Sequence, residues 1–167
     1  SVNLSRYNIF YSSFINKYQD ILREYEISPK LVPLEITESV MSEDEVLLRN
    51  IIDELHSIGF SVLMDDFGTG YSSLNTLGKL NIDELKLDRS FLVEIKDTRN
   101  QNARLIMEEI VQLSKKLSIF SVIEGVETSE DDLLVKEIGC DYGQGYYYSR
   151  PIDSNDFTSK MLNKFNK

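Results

Sequence analysis

The chain contains very little cysteine and histidine, and this shortage excludes several kinds of site. Cys140 is the one cysteine among 167 residues, so neither a disulfide framework nor a cysteine-ligated metal cluster can form within the chain. His56 is the one histidine, which argues against a histidine-rich metal centre and against a histidine relay. We therefore interpret Cys140 as a small buried hydrophobe and His56 as a surface or helix-terminal residue.

Positive charge is also scarce. Lys and Arg total 18 against 28 Asp and Glu, which gives a net charge of −10. Binding a phosphate backbone requires clustered cations, so we expect neither a DNA nor an RNA duplex as a partner. A small anionic ligand could still bind if metal ions supplied the positive charge.

Long apolar runs are absent as well. The sequence has no stretch that is long and apolar enough to cross a bilayer, and it shows no signal peptide. We therefore expect no membrane contact from this segment and a cytoplasmic location.

Short apolar runs alternate with stretches of helical period. One predicted strand lies near Asn3, and the others end near Glu35, Asp65, Lys86, Glu124 and Gln144. Helices are predicted over residues 8–25, 42–58, 106–117, 129–138 and 157–165. Two capping boxes predict helix starts, Ser42 with Glu45 and Ser129 with Asp132. The alternation favours an α/β fold with about six parallel strands.

Polar side chains follow the apolar runs at the points where the predicted strands end. The residues concerned are Asn3, Glu35, Asp65, Asp66, Lys86, Asp88, Glu124 and Gln144. In a parallel barrel the carboxyl ends of all strands meet on one face, so these side chains are expected to share one pocket. Carboxylates packed closely repel each other unless cations lie among them. Oxygen ligands without histidine or cysteine favour Mg²⁺ or Mn²⁺ over zinc.

These residues also have simpler interpretations. A single Asp or Glu after a strand is more often a helix N-cap than a metal ligand. Asp65 and Asp66 precede Phe67-Gly68-Thr69-Gly70, which could form only a turn and a helix start. Lys86 could be a solvated lysine at a strand end, and the tyrosines at 146–148 could be a last strand packed in the core. The repetition of polar residues at six strand ends favours a shared site.

Six segments, taken in order, resemble the signature blocks of the EAL domain of bacterial cyclic-di-GMP phosphodiesterases. They are Asn3-Leu4-Ser5, Leu34-Glu35-Ile36-Thr37-Glu38-Ser39, the block from Asp65 to Leu74, Leu85-Lys86-Leu87-Asp88-Arg89-Ser90-Phe91, Glu124-Gly125-Val126-Glu127-Thr128, and Gln144-Gly145-Tyr146. The resemblance covers the whole chain. It implies a TIM-type (β/α)8 barrel and metal-dependent hydrolysis of cyclic-di-GMP to linear pGpG, with two ions of Mg²⁺ or Mn²⁺.

The resemblance implies ligands for both metal ions. Asn3, Glu35 and Asp65 resemble the ligands of the first ion. Asp66, together with Asp88, resembles those of the second, and the Asp65–Asp66 pair resembles the pair that lies around the two metals. No substrate-binding residue is assigned.

The resemblance also implies roles for four further residues. Lys86 resembles the lysine that contacts the attacking water, and Glu124 resembles the family's catalytic glutamate. Gln144 resembles the glutamine beside the metal–water cluster. Glu38 resembles the glutamate that anchors the loop over residues 67–73. The role of Glu127 is left open.

One part of the family pattern is missing, namely the Glu-Ala-Leu segment with its metal-binding glutamate and the nearby substrate-binding arginine. Glu45-Val46-Leu47 resembles that segment in letters only, because it lies inside a predicted helix. A TIM-type barrel has eight strands in about 250 residues, whereas this sequence supplies about six candidates. We therefore expect residues 1–167 to be a partial EAL domain whose N-terminal barrel strands lie upstream of Ser1.

Three expectations follow from a partial domain. The activity belongs to the parent domain, and this segment alone is expected to be weak or inactive. Its unpaired sheet edges favour a homodimer. The alternative function is a degenerate EAL domain that binds cyclic-di-GMP or a protein without hydrolysis, although retention of the metal and catalytic residues favours the enzyme.

Overall fold

The computed structural model of the protein describes residues 1–5, 9, 14–37, 40, 45–68, 77–97 and 102–159. Six strands form one parallel sheet in chain order. The strands are β1 (Val2–Asn3), β2 (Leu34–Thr37), β3 (Val62–Phe67), β4 (Glu84–Leu87), β5 (Phe120–Ile123) and β6 (Tyr142–Gly143). The helices are α1 (Phe14–Glu24), α2 (Glu45–Ile58), α3 (Ser90–Lys96), α4 (Ala103–Lys116), α5 (Ser129–Ile138) and α6 (Ser154–Phe157), with a 3₁₀ helix at Pro29–Leu31.

The predicted α/β fold of an incomplete TIM-type barrel is confirmed, and so are its six parallel strands. The sheet does not close on itself, because β1 and β6 are its outer strands. Among the described residues, helices lie between all consecutive strands except β3 and β4, and such crossover connections are what parallel strands require. Because all six strands are parallel, their carboxyl ends lie at the same end of the sheet.

The inner strands are buried on both faces. Leu34 and Ile36 of β2 are at most 1% exposed, and Leu85 and Leu87 of β4 are completely buried. Side chains alternate between the two faces of a strand, so these leucines and isoleucines pack under the helices while Lys86, between two of them, points to the opposite face. The apolar pattern thus fixes which polar residues point into the barrel.

The helices follow the predicted periodicity with small shifts. In α2 the side chains of Leu48, Ile51, Ile52 and Leu55 are buried, and the helix ends at Gly59, whose φ of +102° suits glycine. The helix predicted from the spacing of Ile106, Ile110, Leu113 and Leu117 is α4, but this apolar face is partly wrong, because Ile106 is 51% exposed while Met107 and Val111 are completely buried. The apolar residues of α4 surround most of the helix, so the pattern alone left the buried face ambiguous by one residue.

The N-cap predicted for α5 is wrong by one position. Thr128, not Ser129, precedes the helix, and its hydroxyl accepts a hydrogen bond from the Asp131 amide at 3.2 Å. The Asp131 carboxylate in turn accepts one from the Thr128 amide at 3.0 Å. Two overlapping capping-box patterns exist in the sequence, and Asp132 is instead bound to Lys136 and Tyr148. The other predicted cap, Ser42, lies outside the described residues.

The prediction of a strand and a core position for the tyrosines at 146–148 is wrong. These residues form turns, and their side chains are between 44% and 54% exposed. The last strand is β6, which ends at Gly143, because the chain then turns back and the Tyr147 amide donates to the Val126 carbonyl at 3.0 Å. Of the predicted terminal helix, α6 reaches Phe157, and Met161 and Phe165 lie outside the described residues.

The single cysteine and the single histidine lie where the sequence predicted, one partly buried and one near a helix end. Cys140 is half-buried, and burial raises the pKa of its thiol to about 11. His56 lies in the last turn of α2, as predicted, and its Nε2 is 2.8 Å from Asp83 Oδ2. Within the described part of the chain no helix is long and apolar enough to span a membrane.

The cap of α5 can be tested by two neighbouring substitutions. Thr128→Ala removes the acceptor for the Asp131 amide and should lower the free energy of unfolding by about 1 kcal/mol. Ser129→Ala, the matched control at the position favoured by the sequence alone, should change it by less than about 0.5 kcal/mol. Urea denaturation of the two variants measures the difference, and equal effects would contradict the assignment.

Candidate active site

The predicted site residues that the structure describes lie at one end of the sheet, where its strands have their carboxyl ends. Asn3 belongs to β1, Glu35 to β2, and Asp65 and Asp66 to β3. Lys86 belongs to β4 and Asp88 follows it, while Glu124 follows β5 and Gln144 follows β6. Glu38 lies outside the described residues.

Lys86 lies at the centre of this end of the sheet, on the inner strand β4, and contacts three carboxylates. Its Nζ is 2.9 Å from Glu35 Oε1, 2.8 Å from Asp65 Oδ1 and 2.7 Å from Glu124 Oε1. The Lys86 side chain is only 6% exposed. The interpretation of Lys86 as a solvated strand-end lysine is therefore wrong, because the carboxylates of β2, β3 and the β5–α5 loop replace its water.

The surroundings of Lys86 set the charge of the centre. Burial alone would lower the pKa of its ammonium group, but hydrogen bonds to Asp65, Glu124 and Glu35 outweigh burial and raise the pKa above its ordinary value. For Glu35, burial raises the pKa, but hydrogen bonds from the Ser1 hydroxyl, at 2.6 Å, and from Lys86 lower it overall. Lys86 is thus held as a cation and Glu35 as a carboxylate.

A β-bulge at the end of β3 aims Asp65 and Asp66 at the same pocket. Met64 faces Leu85 and Phe67 faces Leu87, so β3 carries one more residue than β4 over this stretch. Asp66 has a φ of +58°, in the left-handed region that non-glycine residues seldom adopt. Consecutive side chains of a regular strand point to opposite faces, and the bulge removes that separation. Both residues lie within β3, so the interpretation of them as only a turn and helix start is wrong.

Three carboxylates converge beside Lys86. One ligand oxygen each from Asp65, Asp66 and Glu124 lies within 4.8 Å of the others. Burial, then the negative charges of Asp65 and Asp88, raise the pKa of Asp66. This repulsion would be relieved by a cation between the carboxylates. The donor set is all oxygen, so it fits a hard divalent ion of the Mg²⁺, Ca²⁺ or Mn²⁺ kind.

The remaining predicted residues lie at the margins of this cluster. Asn3 is paired with Glu35 in the register of β1 and β2, and its side chain is exposed. Asp88 accepts a hydrogen bond from the Ser90 amide at 2.8 Å, and although burial raises its pKa, hydrogen bonds from the side chain and the amide of Ser90 lower it overall. Gln144 is exposed, and its main chain bonds to Ile123 and Val126.

Two contacts near the site were not anticipated from the sequence. The Ser1 hydroxyl donates to Glu35, and nothing in the sequence signals that contact. Arg89 forms an ion pair with Glu127, with 2.7 Å between Nη1 and Oε1. Both Arg89 and Glu127 occur in the segments that resemble family blocks, which was the available signal.

The role of Lys86 in stability can be tested by removing its charge. Lys86→Met leaves Glu35, Asp65 and Glu124 without their shared cation and should lower the free energy of unfolding by about 3 kcal/mol at pH 7 without divalent ions. The matched control Lys79→Met breaks an exposed pair with Glu45 and should cost less than about 1 kcal/mol. Chemical denaturation with a chelator present measures both variants.

The same comparison has an expected pH dependence. The folded pKa of Glu35 lies below its ordinary value of 4.5, so the stability that it contributes is complete above pH 4.5 and is lost as the pH falls through the folded value. Without Lys86 the pKa of Glu35 rises, and the difference between wild type and Lys86→Met should therefore narrow in acid. A difference that stays constant down to the folded pKa would contradict the pairing.

Comparison with known proteins identifies relatives of this chain. The sequence model of the EAL domain family matches residues 1–151. Cyclic di-GMP phosphodiesterase RocR of Pseudomonas aeruginosa is 36% identical over 138 residues, which are 82% of this chain and 34% of RocR. The chain spans about a fifth to a third of the length of the curated relatives that it matches.

Solved structures with the same fold include two complexes. The PaMucR phosphodiesterase in complex with c-di-GMP has a TM-score of 0.85 and 32% sequence identity, over 93% of this chain and 62% of that chain. The manganese and cy-diGMP complex of Klebsiella pneumoniae BlrP1 has a TM-score of 0.79 and 28% identity, over 89% of this chain and 38% of that chain. By its sequence and its fold, the chain belongs to the EAL domain family.

Proposed function

We propose that the complete domain to which this segment belongs hydrolyses cyclic-di-GMP to linear pGpG with the help of Mg²⁺ or Mn²⁺. The observation that carries the proposal is the convergence of Asp65, Asp66 and Glu124 around a point next to the buried ammonium group of Lys86. The substrate is suggested by the names of relatives, since RocR is a cyclic di-GMP phosphodiesterase and PaMucR was solved with c-di-GMP.

Asp65 and Asp66 would hold the metal ions, with Glu35, Asn3 and Asp88 as further oxygen donors, and the carboxylate of Glu124 would lie beside the ions. Bound divalent ions would activate a water molecule for attack and offset the charge of the phosphodiester. The carboxylates outnumber the single ammonium group, so the cluster needs added positive charge before it can accept an anionic substrate.

Lys86 would act on the water that attacks phosphorus. Its ammonium group is fixed by three hydrogen-bonded carboxylates and can donate to the oxygen of that water. A charge that is already oriented stabilises negative charge developing on phosphate oxygens without reorganising during the reaction. We assign to Lys86 the orientation of the nucleophile.

Glu124 is the best placed proton acceptor. Its carboxylate is 22% exposed, which is more than that of Glu35 or Asp65, and it contacts Lys86 while lying next to Asp65 and Asp66. It could take the proton of the water as the new P–O bond forms and the ester P–O bond breaks. Gln144, on the neighbouring strand end, would bind the water or a phosphate oxygen from the other side.

The alternative function, a non-catalytic module that binds cyclic-di-GMP or a protein, is less well supported. Such a module does not need a bulge that brings Asp65 and Asp66 together, nor a buried lysine fixed beside them. Anionic ligand binding alone would be weakened by this surplus of carboxylates.

Substitution of Glu124 tests the enzymatic proposal. Glu124→Gln keeps the shape of the side chain but removes its charge and its ability to accept a proton, so kcat should fall by at least about 100-fold. The control Glu137→Gln removes a carboxylate that is 61% exposed and pairs with Arg104, and kcat should be unchanged. Release of pGpG from cyclic-di-GMP, followed chromatographically with Mn²⁺ in the complete domain, measures both. A Glu124→Gln variant as active as wild type would refute the assignment.

The dependence on the whole barrel can be tested separately. Asn3 lies on one outer strand of the open sheet and Gln144 follows the other, and both residues are exposed. Residues 1–167 alone should therefore turn over cyclic-di-GMP roughly 100-fold more slowly than the complete domain. Equal turnover by the two polypeptides would contradict this expectation.

Sizing chromatography of residues 1–167 tests the predicted homodimer. A clean monomer would count against it.

A further inference from the structure

The segment from Glu124 to Thr128 holds the proposed proton acceptor at its first residue. The Glu124 amide donates to the Leu87 carbonyl at 3.0 Å, which continues the β4–β5 pairing by one residue. Gly125 then has a φ of +71°, and the Val126 amide donates to the Gln144 carbonyl at 3.1 Å. The side chain of Glu124 is therefore followed at once by a left-handed residue, around which the main chain changes direction.

Arg89 covers this change of direction. It lies two residues after the end of β4, and its guanidinium makes a two-pronged contact with Glu127, 2.7 Å from Nη1 to Oε1 and 3.1 Å from Nη2 to Oε2. Its aliphatic stem lies against Gly125 so closely that a Cβ on that glycine would be 2.5 Å from Arg89 Cγ. Arg89 thus touches the main chain beside Glu124 and the side chain of Glu127 together.

A second connection fixes the far end of the segment. The Asp131 carboxylate accepts hydrogen bonds from the amides of Glu127 and Thr128, at 3.1 and 3.0 Å. Lys96, at the end of α3, forms an ion pair with the same carboxylate, which is 2% exposed. The β4–α3 unit therefore holds the segment at two points, through Arg89 and through Lys96.

We propose that Arg89 and Glu127 form a pair of positioning residues that keeps Glu124 aligned with Lys86. Lys86 and Arg89 both belong to the end of β4 and its continuation, so the spacing between Lys86 and Glu124 depends on how firmly the two strand ends are joined. The inference rests on the proposed function for its catalytic meaning, and on the Arg89–Glu127 and Arg89–Gly125 contacts for its geometry.

The Arg89–Glu127 pair should affect turnover more than it affects global stability. The side chains of Arg89 and Glu127 are 55% and 39% exposed, and pairs exposed to this extent contribute little to global stability. Loss of the pair would remove the side chain that packs on Gly125 and would loosen the alignment of Glu124 with Lys86. We therefore expect lower turnover at a nearly unchanged melting temperature.

The test compares Arg89→Ala, Glu127→Ala, the double alanine variant and the charge-exchanged variant R89E/E127R in the complete domain. Each single variant should lower kcat by roughly 3- to 10-fold with little change in KM, since small displacements of a catalytic group reduce the rate. The double alanine variant should be no worse than either single one, and R89E/E127R should recover part of the loss. The control Arg104→Ala, which breaks an outer-surface pair with Glu108, should leave kcat unchanged.

Amide hydrogen exchange supplies a readout that does not depend on turnover. In Arg89→Ala and Glu127→Ala, the amides of residues 124–128 should exchange faster than in wild type, while those of α4 stay the same. Manganese affinity, titrated by electron paramagnetic resonance, should fall in the same variants, because Glu124 belongs to the cluster. If wild type does not hydrolyse cyclic-di-GMP, the proposed function fails while the exchange experiment still tests the positioning.

Two results would overturn the inference. The first is unchanged exchange at residues 124–128 in both single variants, which would show that the pair does not hold the segment. The second is a loss of kcat in Arg89→Ala that Glu127→Ala does not share, which would show that Arg89 acts without Glu127. Arg89→Lys, which keeps the charge but not the two-pronged contact, should give intermediate exchange and serves as a further check if an alanine variant fails to fold.

Discussion

The burial of one ammonium group among three carboxylates is the constraint on which the site depends. Moving a lysine charge out of water costs several kcal/mol unless opposite charges replace its hydration. At Lys86 those charges come from Glu35, Asp65 and Glu124, which belong to different units of the barrel. The parallel register of β2 to β5 is therefore needed for the site, and the ion cluster in turn joins the strands that form it.

The cluster is also unbalanced, and the imbalance has a chemical use. Glu35, Asp65, Asp66 and Glu124 supply four carboxylates to a single ammonium group. The raised pKa of Asp66, caused by burial and by neighbouring carboxylates, records the repulsion that remains. The left-handed conformation of Asp66 costs on the order of 1 kcal/mol or more, and such strain is typically retained where a function requires it. A divalent ion between the carboxylates would relieve this repulsion.

The sequence predicted the parts of this arrangement that follow from periodicity and from strand ends. The apolar residues of β4 placed Lys86 between two buried leucines, so its direction followed from alternation alone. The bulge that brings Asp65 and Asp66 together was not predicted, since it depends on how β3 pairs with β4, a long-range feature that no local pattern encodes. The strand predicted at Tyr146 was wrong, because aromatic residues favour strands locally while the hydrogen bonds that join Gln144 and Tyr147 to Val126 impose a turn. Thr128 and Ser129 offered equivalent caps, and the tertiary contacts of Asp131 with Lys96 and of Asp132 with Tyr148 favour the cap at Thr128.

The site is not equally constrained at all of its positions, and the difference follows from the sheet. Glu35, Asp65, Lys86 and the residue before Glu124 lie on strands that have a paired neighbour on both sides. Asn3 and Gln144 lie at the two outer strands, and each is exposed. A TIM-type barrel closes when further strands pair with both edges, and only then do the first and last strand ends face the same interior. The central ion cluster therefore forms among strands that are paired on both sides, whereas Asn3 and Gln144 lie at the outer strands of the sheet.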